Sequence, residues 1–185
     1  MSQLIYCVTG KMAAGKNYIC EQFKKQGWTS LDADLLVHDA IDMAKDKILS
    51  TFEPYAKEKN IKLKKDSDGS IDRRALGELL FSMPNLLKIQ ESIVYTIITE
   101  QIKKYIEEHP QENIIINATV LYKTPELMNL CQKILYVQAP FHIRLYRARN
   151  RDNLPFNNIL KRFYTQKNLL KEYKKTGIPL EIIKN

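Results

Sequence analysis

The chain of 185 residues has few cysteines: Cys7, Cys20 and Cys131, far apart and with no CxxC pair. An odd, scattered set excludes a disulfide framework and points to a reducing compartment, so each thiol reads as a small buried apolar side chain. Long hydrophobic runs are absent as well. The run Ile114-Ile115-Ile116 reads as a buried strand, and no apolar run approaches the ~18–20 residues that cross a bilayer. No basic segment followed by an apolar stretch opens the chain, so no secretory leader is expected and a cytoplasmic protein is. His38, His109 and His142 share no metal-ligand spacing, and no internal repeat or low-complexity tract appears. What remains is a globular chain, 44% hydrophobic, enough for a core without staples. At roughly 100–200 residues per domain it is a single domain.

Charge is present but unevenly placed. The 29 Lys+Arg exceed the 21 Asp+Glu to give +8. Up to Phe141 there are 18 residues of each sign; from His142 onward 11 basic residues face Asp152, Glu172 and Glu181. The whole excess therefore sits in the last quarter, a field that attracts a polyanion. Composition leaves nucleotide, nucleic acid and membrane surface open. That quarter has no RNP, KH or zinc motif, which argues against nucleic acid.

Periodicity gives the organisation. Leu4–Val8 is a short apolar run ending at Thr9-Gly10, and a helical stretch containing Ile19 and Phe23 stops near Gly27. Trp28–Leu31 reads as a second strand. Strand, loop, helix, strand is a βαβ unit and implies a parallel sheet. Leu35–Phe52 is predicted helical, and Glu53–Asp72, polar and broken by Pro54 and Gly69, is predicted to be a surface excursion. Helices are expected over Ile71–Phe81, Asn85–Glu108, Phe141–Asn150 and Pro155–Gln166. Further strands are expected over Asn113–Asn117, Ile134–Val137 and Leu180–Ile183. The class is α/β.

Gly10-Lys11-Met12-Ala13-Ala14-Gly15-Lys16 matches G-x-x-x-x-G-K between the first strand and first helix, where a phosphate loop belongs. Backbone N–H groups must turn inward around phosphates, so the loop needs small residues, and the helix N-terminus adds positive potential. Lys16 would reach the β- and γ-phosphates. Asn17 stands where Ser or Thr normally ligates Mg²⁺; its amide oxygen can accept a magnesium bond or hold one of the ion's waters. Asp32 and Asp34 flank Ala33 at the end of the second strand, and ligands of open parallel sheets lie beyond the strands' carboxyl ends. One carboxylate could take a hydroxyl proton and the other hold a magnesium water. Arg144, Arg147 and Arg151 fall within about 60° of one another on one helix face at ~100° per residue, a set that suits a triphosphate.

Taken in order, these segments resemble the dephospho-CoA kinase family, relatives of the nucleoside monophosphate kinases. The resemblance runs through Thr9–Lys16, Leu31–Asp34, Asp68–Leu76 with Phe81, Ala139-Pro140, Arg147, Arg151-Asp152, Arg162 with Gln166, and Ile182–Asn185. It implies transfer of the ATP γ-phosphate to the ribose 3′-hydroxyl of dephospho-CoA, the last step of coenzyme A synthesis, with ATP and Mg²⁺. It implies a P-loop kinase core, about 1–40 and 112–185, a helical substrate-binding insertion, about 41–111, and a short lid, about 147–160. By the same resemblance Asp34 is the general base, acting with Lys16 and Arg147. ATP is bound by Ala13, Ala14, Gly15, Lys16, Asn17, Tyr18, Arg147 and Arg151, and the acceptor by Asp34 and Arg73. The metal falls to Asn17 and Asp32. Lys11 and Ala13 stand where the family prefers glycine. Tyr95-Thr96 replaces a usual His-Pro, and Thr119–Lys123 replaces a Pro-Leu-Leu segment ending in Glu. Two alternatives stay open on the residues alone: another small-molecule P-loop kinase, and a non-catalytic basic binder of nucleotide or nucleic acid.

Overall fold

The protein was analysed as a computed structural model, which describes residues 3–65, 67–152 and 155–185. Five strands, β1 (Ile5–Gly10), β2 (Thr29–Asp32), β3 (Ile114–Asn117), β4 (Lys133–Gln138) and β5 (Leu180–Lys184), form one parallel sheet in the order β2-β3-β1-β4-β5. Nine helices accompany them among the described residues: α1 (Lys16–Lys24), α2 (Ala33–Met43), α3 (Lys45–Glu58), α4 (Arg73–Ser82), α5 (Pro84–Glu108), α6 (Pro125–Met128), α7 (Phe141–Asp152), α8 (Phe156–Thr165) and α9 (Leu169–Lys174). None of them is long and apolar enough to cross a membrane.

The chain divides into two compact units. One comprises the residues up to Asp34 together with Ile102–Asn185 and holds the whole sheet; the other is Leu35–Gln101 and is helical. The central strands are covered on both faces, which is why they read as unbroken apolar runs rather than alternating ones. Ile114, Ile115 and Ile116 are fully buried, and Cys7 pairs in register with Ile116 on one side and Ile134 on the other. All three thiols are free and buried, as the composition predicts; burial pushes the Cys131 thiol up to about 12. A Cβ on Gly10 would collide with the Val137 carbonyl oxygen, so glycine lets β4 approach the strand end that opens into the loop.

Within the helical unit Leu35–Phe52 is helical as expected, divided between α2 and α3 at Ala44, and one expectation is corrected. The polar excursion begins later than Glu53, because α3 carries Pro54 in its interior and runs to Glu58. Phe52 and Ala56, both buried, anchor the turns on either side of the proline, and this packing offsets the missing N–H bond. Asp72 caps α4, accepting from the N–H groups of Arg74 and Ala75 at 2.9 and 3.0 Å. The lid expected at about 147–160 includes Asn153 and Leu154, which lie outside the described residues.

Candidate active site

The first strand delivers the chain into the turn Lys11–Gly15. Ala13 adopts φ 60° and Gly15 φ 99°, the left-handed conformations that turn successive N–H groups to one side. The space over Gly15 is closed by Asn185, so a Cβ there would strike that side chain as well as strain the backbone. Three contacts hold the turn from outside. Gln166 accepts from Met12 N–H at 2.6 Å, Asn185 donates to the Ala14 carbonyl at 2.9 Å, and Arg147 reaches the same carbonyl at 3.4 Å. Lys16 opens α1 directly above the turn, Asn17 and Tyr18 are exposed, and Ala14 is buried.

Opposite this turn stands Asp34, in the first turn of α2, where the helix N-terminus favours a carboxylate. Its Oδ2 is 3.0 Å from Lys16 Nζ. The lysine is nearly enclosed, with 13% of its side chain exposed, whereas the carboxylate keeps 49% and stays open to solvent. Thr119 joins them. Its hydroxyl donates to Asp34 Oδ2 at 2.9 Å and accepts from Lys16 Nζ, and its N–H donates to Asp34 Oδ1 at 3.3 Å. Burial pushes the Asp34 carboxyl up, but the Lys16 ammonium and the Thr119 donors outweigh it and hold the group below its usual range.

The backbone that presents Thr119 is itself anchored. Tyr173 of α9, fully buried, donates to the Thr119 carbonyl at 3.2 Å and accepts from Leu121 N–H at 2.9 Å; Thr9 also donates to the Thr119 carbonyl, at 3.2 Å. Tyr173→Phe strands the Leu121 N–H in a dry interior and is expected to cost about 1–3 kcal/mol. A urea midpoint unchanged from wild type would show that the tyrosine is not the anchor.

Beside the pair lies a second polar chain. Asn117 Nδ2 donates to Asp32 Oδ2 at 2.8 Å and to Asn17 Oδ1 at 3.1 Å, while its own Oδ1 is buried without a partner. One carboxylate and two carboxamide oxygens form a hard-oxygen donor set that fits Mg²⁺. No cluster of three His, Cys, Asp or Glu poised for a metal exists among the described residues. An ion here would therefore draw most of its ligands from phosphates and water.

The structure thus brings Ala13–Tyr18, Asp32, Asp34 and Arg147 to one end of the sheet. It does not use the three arginines of α7 alike: Arg147 touches the turn, Arg151 is exposed, and Arg144 is buried against Phe163. Arg73 belongs to the helical unit, where it pairs with Asp42 at 2.5 Å and lines a cleft of about 610 Å³ in which Lys45, Lys65 and Arg74 stand among Asp42, Asp68 and Asp72. Sequence reasoning missed Asn117, Thr119 and Tyr173 as parts of this end. The chain position of the first two becomes informative only once β3 is known to neighbour β1: Asn117 ends β3 and Thr119 follows it, at the carboxyl end beside the loop.

A phosphate-wrapping turn after β1, a lysine opening α1, and acids at the end of the second strand of a parallel sheet define a P-loop kinase. The chain matches the dephospho-CoA kinase family over residues 4–183. A dephospho-CoA kinase of Treponema denticola is 34% identical over 182 residues, covering 96% of this chain and 80% of that one. A dephospho-CoA kinase structure from Campylobacter jejuni superposes with a TM-score of 0.69 at 25% identity, covering 98% of this chain and 87% of the other. TT1252 from Thermus thermophilus shares the fold, with a TM-score of 0.81 at 22% identity over 100% of this chain and 90% of its own. The chain belongs to the dephospho-CoA kinase family, and is a kinase of the transferase class.

Proposed function

We propose that this chain transfers the γ-phosphoryl group of ATP to the ribose 3′-hydroxyl of dephospho-CoA. The observation that carries this reading is the contact of Lys16 with Asp34 at the phosphate loop: a cation for the phosphates and a proton acceptor for the alcohol meet at one point. Asp34 takes the hydroxyl proton as the alcohol oxygen bonds to the γ-phosphorus, and the β–γ bridging oxygen leaves with ADP. The turn amides of Ala13–Gly15 and the ammonium of Lys16 stabilise charge on the transferred group, with Asn17 and Tyr18 at the start of α1 beside them. Arg147 and Arg151, projecting from α7, bind phosphate oxygens. Asn17 and Asp32 would hold Mg²⁺, directly or through water, with Asn117, which donates to both, orienting them. When bound, the ion neutralises phosphate charge.

The ion pair gives the site a built-in sequence. An incoming polyphosphate draws Lys16 away from Asp34. The carboxylate then loses the interaction that held its basicity down and becomes a better proton acceptor when a phosphoryl group is present. Thr119 remains to keep it in position. Thr119→Val removes the hydroxyl donor, and the Asp34 carboxyl should titrate higher, with Thr119→Ser restoring it. Carboxyl ¹³C titration reads this directly; an unmoved Asp34 signal in Thr119→Val would remove Thr119 from the mechanism.

In the helical unit, Arg73 with Lys45 and Lys65 offers its cleft to an anionic group of the acceptor. We assign Leu35–Gln101 to acceptor binding on that ground, and the free thiols fit a cytoplasmic enzyme. Mass spectrometry after incubation with MgATP and dephospho-CoA tests the assignment. A product heavier by one phosphoryl group is expected. Phosphorylation of a nucleoside or sugar alcohol in preference to dephospho-CoA would overturn it.

A further inference from the structure

Arg144 is the one charged residue among the described residues whose side chain lies in the interior, 8% exposed, without an ionic partner. Its Nη1 is buried and unpartnered. The guanidinium sits 4.5 Å from the Phe163 ring centre and 5.9 Å from that of Phe141. Aromatic faces attract the cation but accept nothing from the rim of the guanidinium, where its five N–H donors point. An interior charge left this way is costly, and native proteins compensate it with a counter-charge or a ligand.

Arg144 lines a cleft of about 280 Å³ at the end of β4, the neighbour of β1 on the side opposite β3, together with Lys11, Ala14, Gln138, Phe141 and Leu170. No acidic residue lines it. Lys11 stands at the cleft without a partner of opposite charge; burial and then the Arg144 charge both hold its ammonium below the usual range. Ala139-Pro140-Phe141, the entry to α7, closes a further side, and the first turn of that twelve-residue helix contains no acid to occupy its free N–H groups. A buried guanidinium, an ammonium and a helix N-terminus thus converge on one space with no anion supplied by the chain.

We propose that this cleft is a second oxyanion site, distinct from the Lys16–Asp34 site, that takes a phosphate group, with Arg144 as its buried fork and Lys11 at its mouth. The space exceeds that of a phosphate ion, so the group is either free phosphate or the end of a small phosphomonoester. The test uses the full chain saturated with a non-hydrolysable ATP analogue and Mg²⁺, so that the phosphate loop is filled. Inorganic phosphate is then titrated at constant ionic strength while the melting midpoint is followed. A saturable rise is expected in wild type. Arg144→Gln should weaken the apparent affinity at least about tenfold, as loss of a charge-assisted fork does. Lys11→Gln, at a partly exposed position, should weaken it severalfold and keeps the test valid if the first variant folds poorly. Glycerol 3-phosphate in a parallel titration distinguishes the sources: tighter binding than phosphate assigns a phosphomonoester, equal binding the free ion. No saturable response, or an equal response in both variants, overturns the proposal.

Discussion

Lys16→Ala is expected to lower kcat by about 10²–10³ and to weaken ATP binding, the loss typical of one preorganised donor at a site of developing charge. The size follows from enclosure. With 13% of its side chain exposed, Lys16 acts in a medium that screens its charge poorly, and no other lysine opens α1. The variant has a second consequence that separates it from simple misfolding. Asp34 now titrates below its ordinary range, so its share of stability is present above the unfolded value near ~4 and is lost as pH falls through the folded value. Without Lys16 the depression shrinks, and unfolding free energy should fall less steeply on acidification below about pH 5. Solvent around the half-exposed carboxylate keeps the difference small. Denaturant midpoints at neutral and acid pH read it alongside turnover by ADP release. Turnover within tenfold of wild type would remove Lys16 from phosphoryl transfer.

Much of this end of the molecule was legible in the sequence because its residue types are constrained by function. Gly10 and Gly15 are needed where β4 and Asn185 crowd the backbone, and Asp34 is placed by the boundary between β2 and α2. Thr119 was not legible as a partner. Threonine after a buried strand carries no signal of its own, and its role depends on which strand neighbours β1. Tyr173 lies on α9, six residues long, too short for periodicity to reveal. The α7 arginines show the same limit from another side. Periodicity places Arg144 and Arg147 on one face of a helix. Depth is set by what packs there, and Phe163, from the following helix, encloses Arg144 while Arg147 reaches the loop. Pro54 misled because local propensity weighs one residue, whereas Phe52 and Ala56 are held by the interior.

Asp34→Asn should lower kcat by roughly 10²–10⁴, the range for loss of a general base, while KM for ATP stays within a few-fold. The substitution is nearly isosteric. The new amide oxygen can still accept from Thr119 N–H or from Lys16, so the geometry around Thr119 and Tyr173 should persist. What disappears is the capacity to bind the proton released by the acceptor hydroxyl. Lys16, freed from its carboxylate, should if anything hold ATP more tightly, which makes the split between kcat and KM diagnostic. The acid limb of the kcat/KM profile should vanish as well, because the group that titrates there is gone. Retention of full kcat would mean that the acceptor proton passes directly to the phosphoryl oxygens. Asp34 would then serve as the counter-ion that parks Lys16 until nucleotide arrives, and tighter ATP binding would be the sole consequence of its loss.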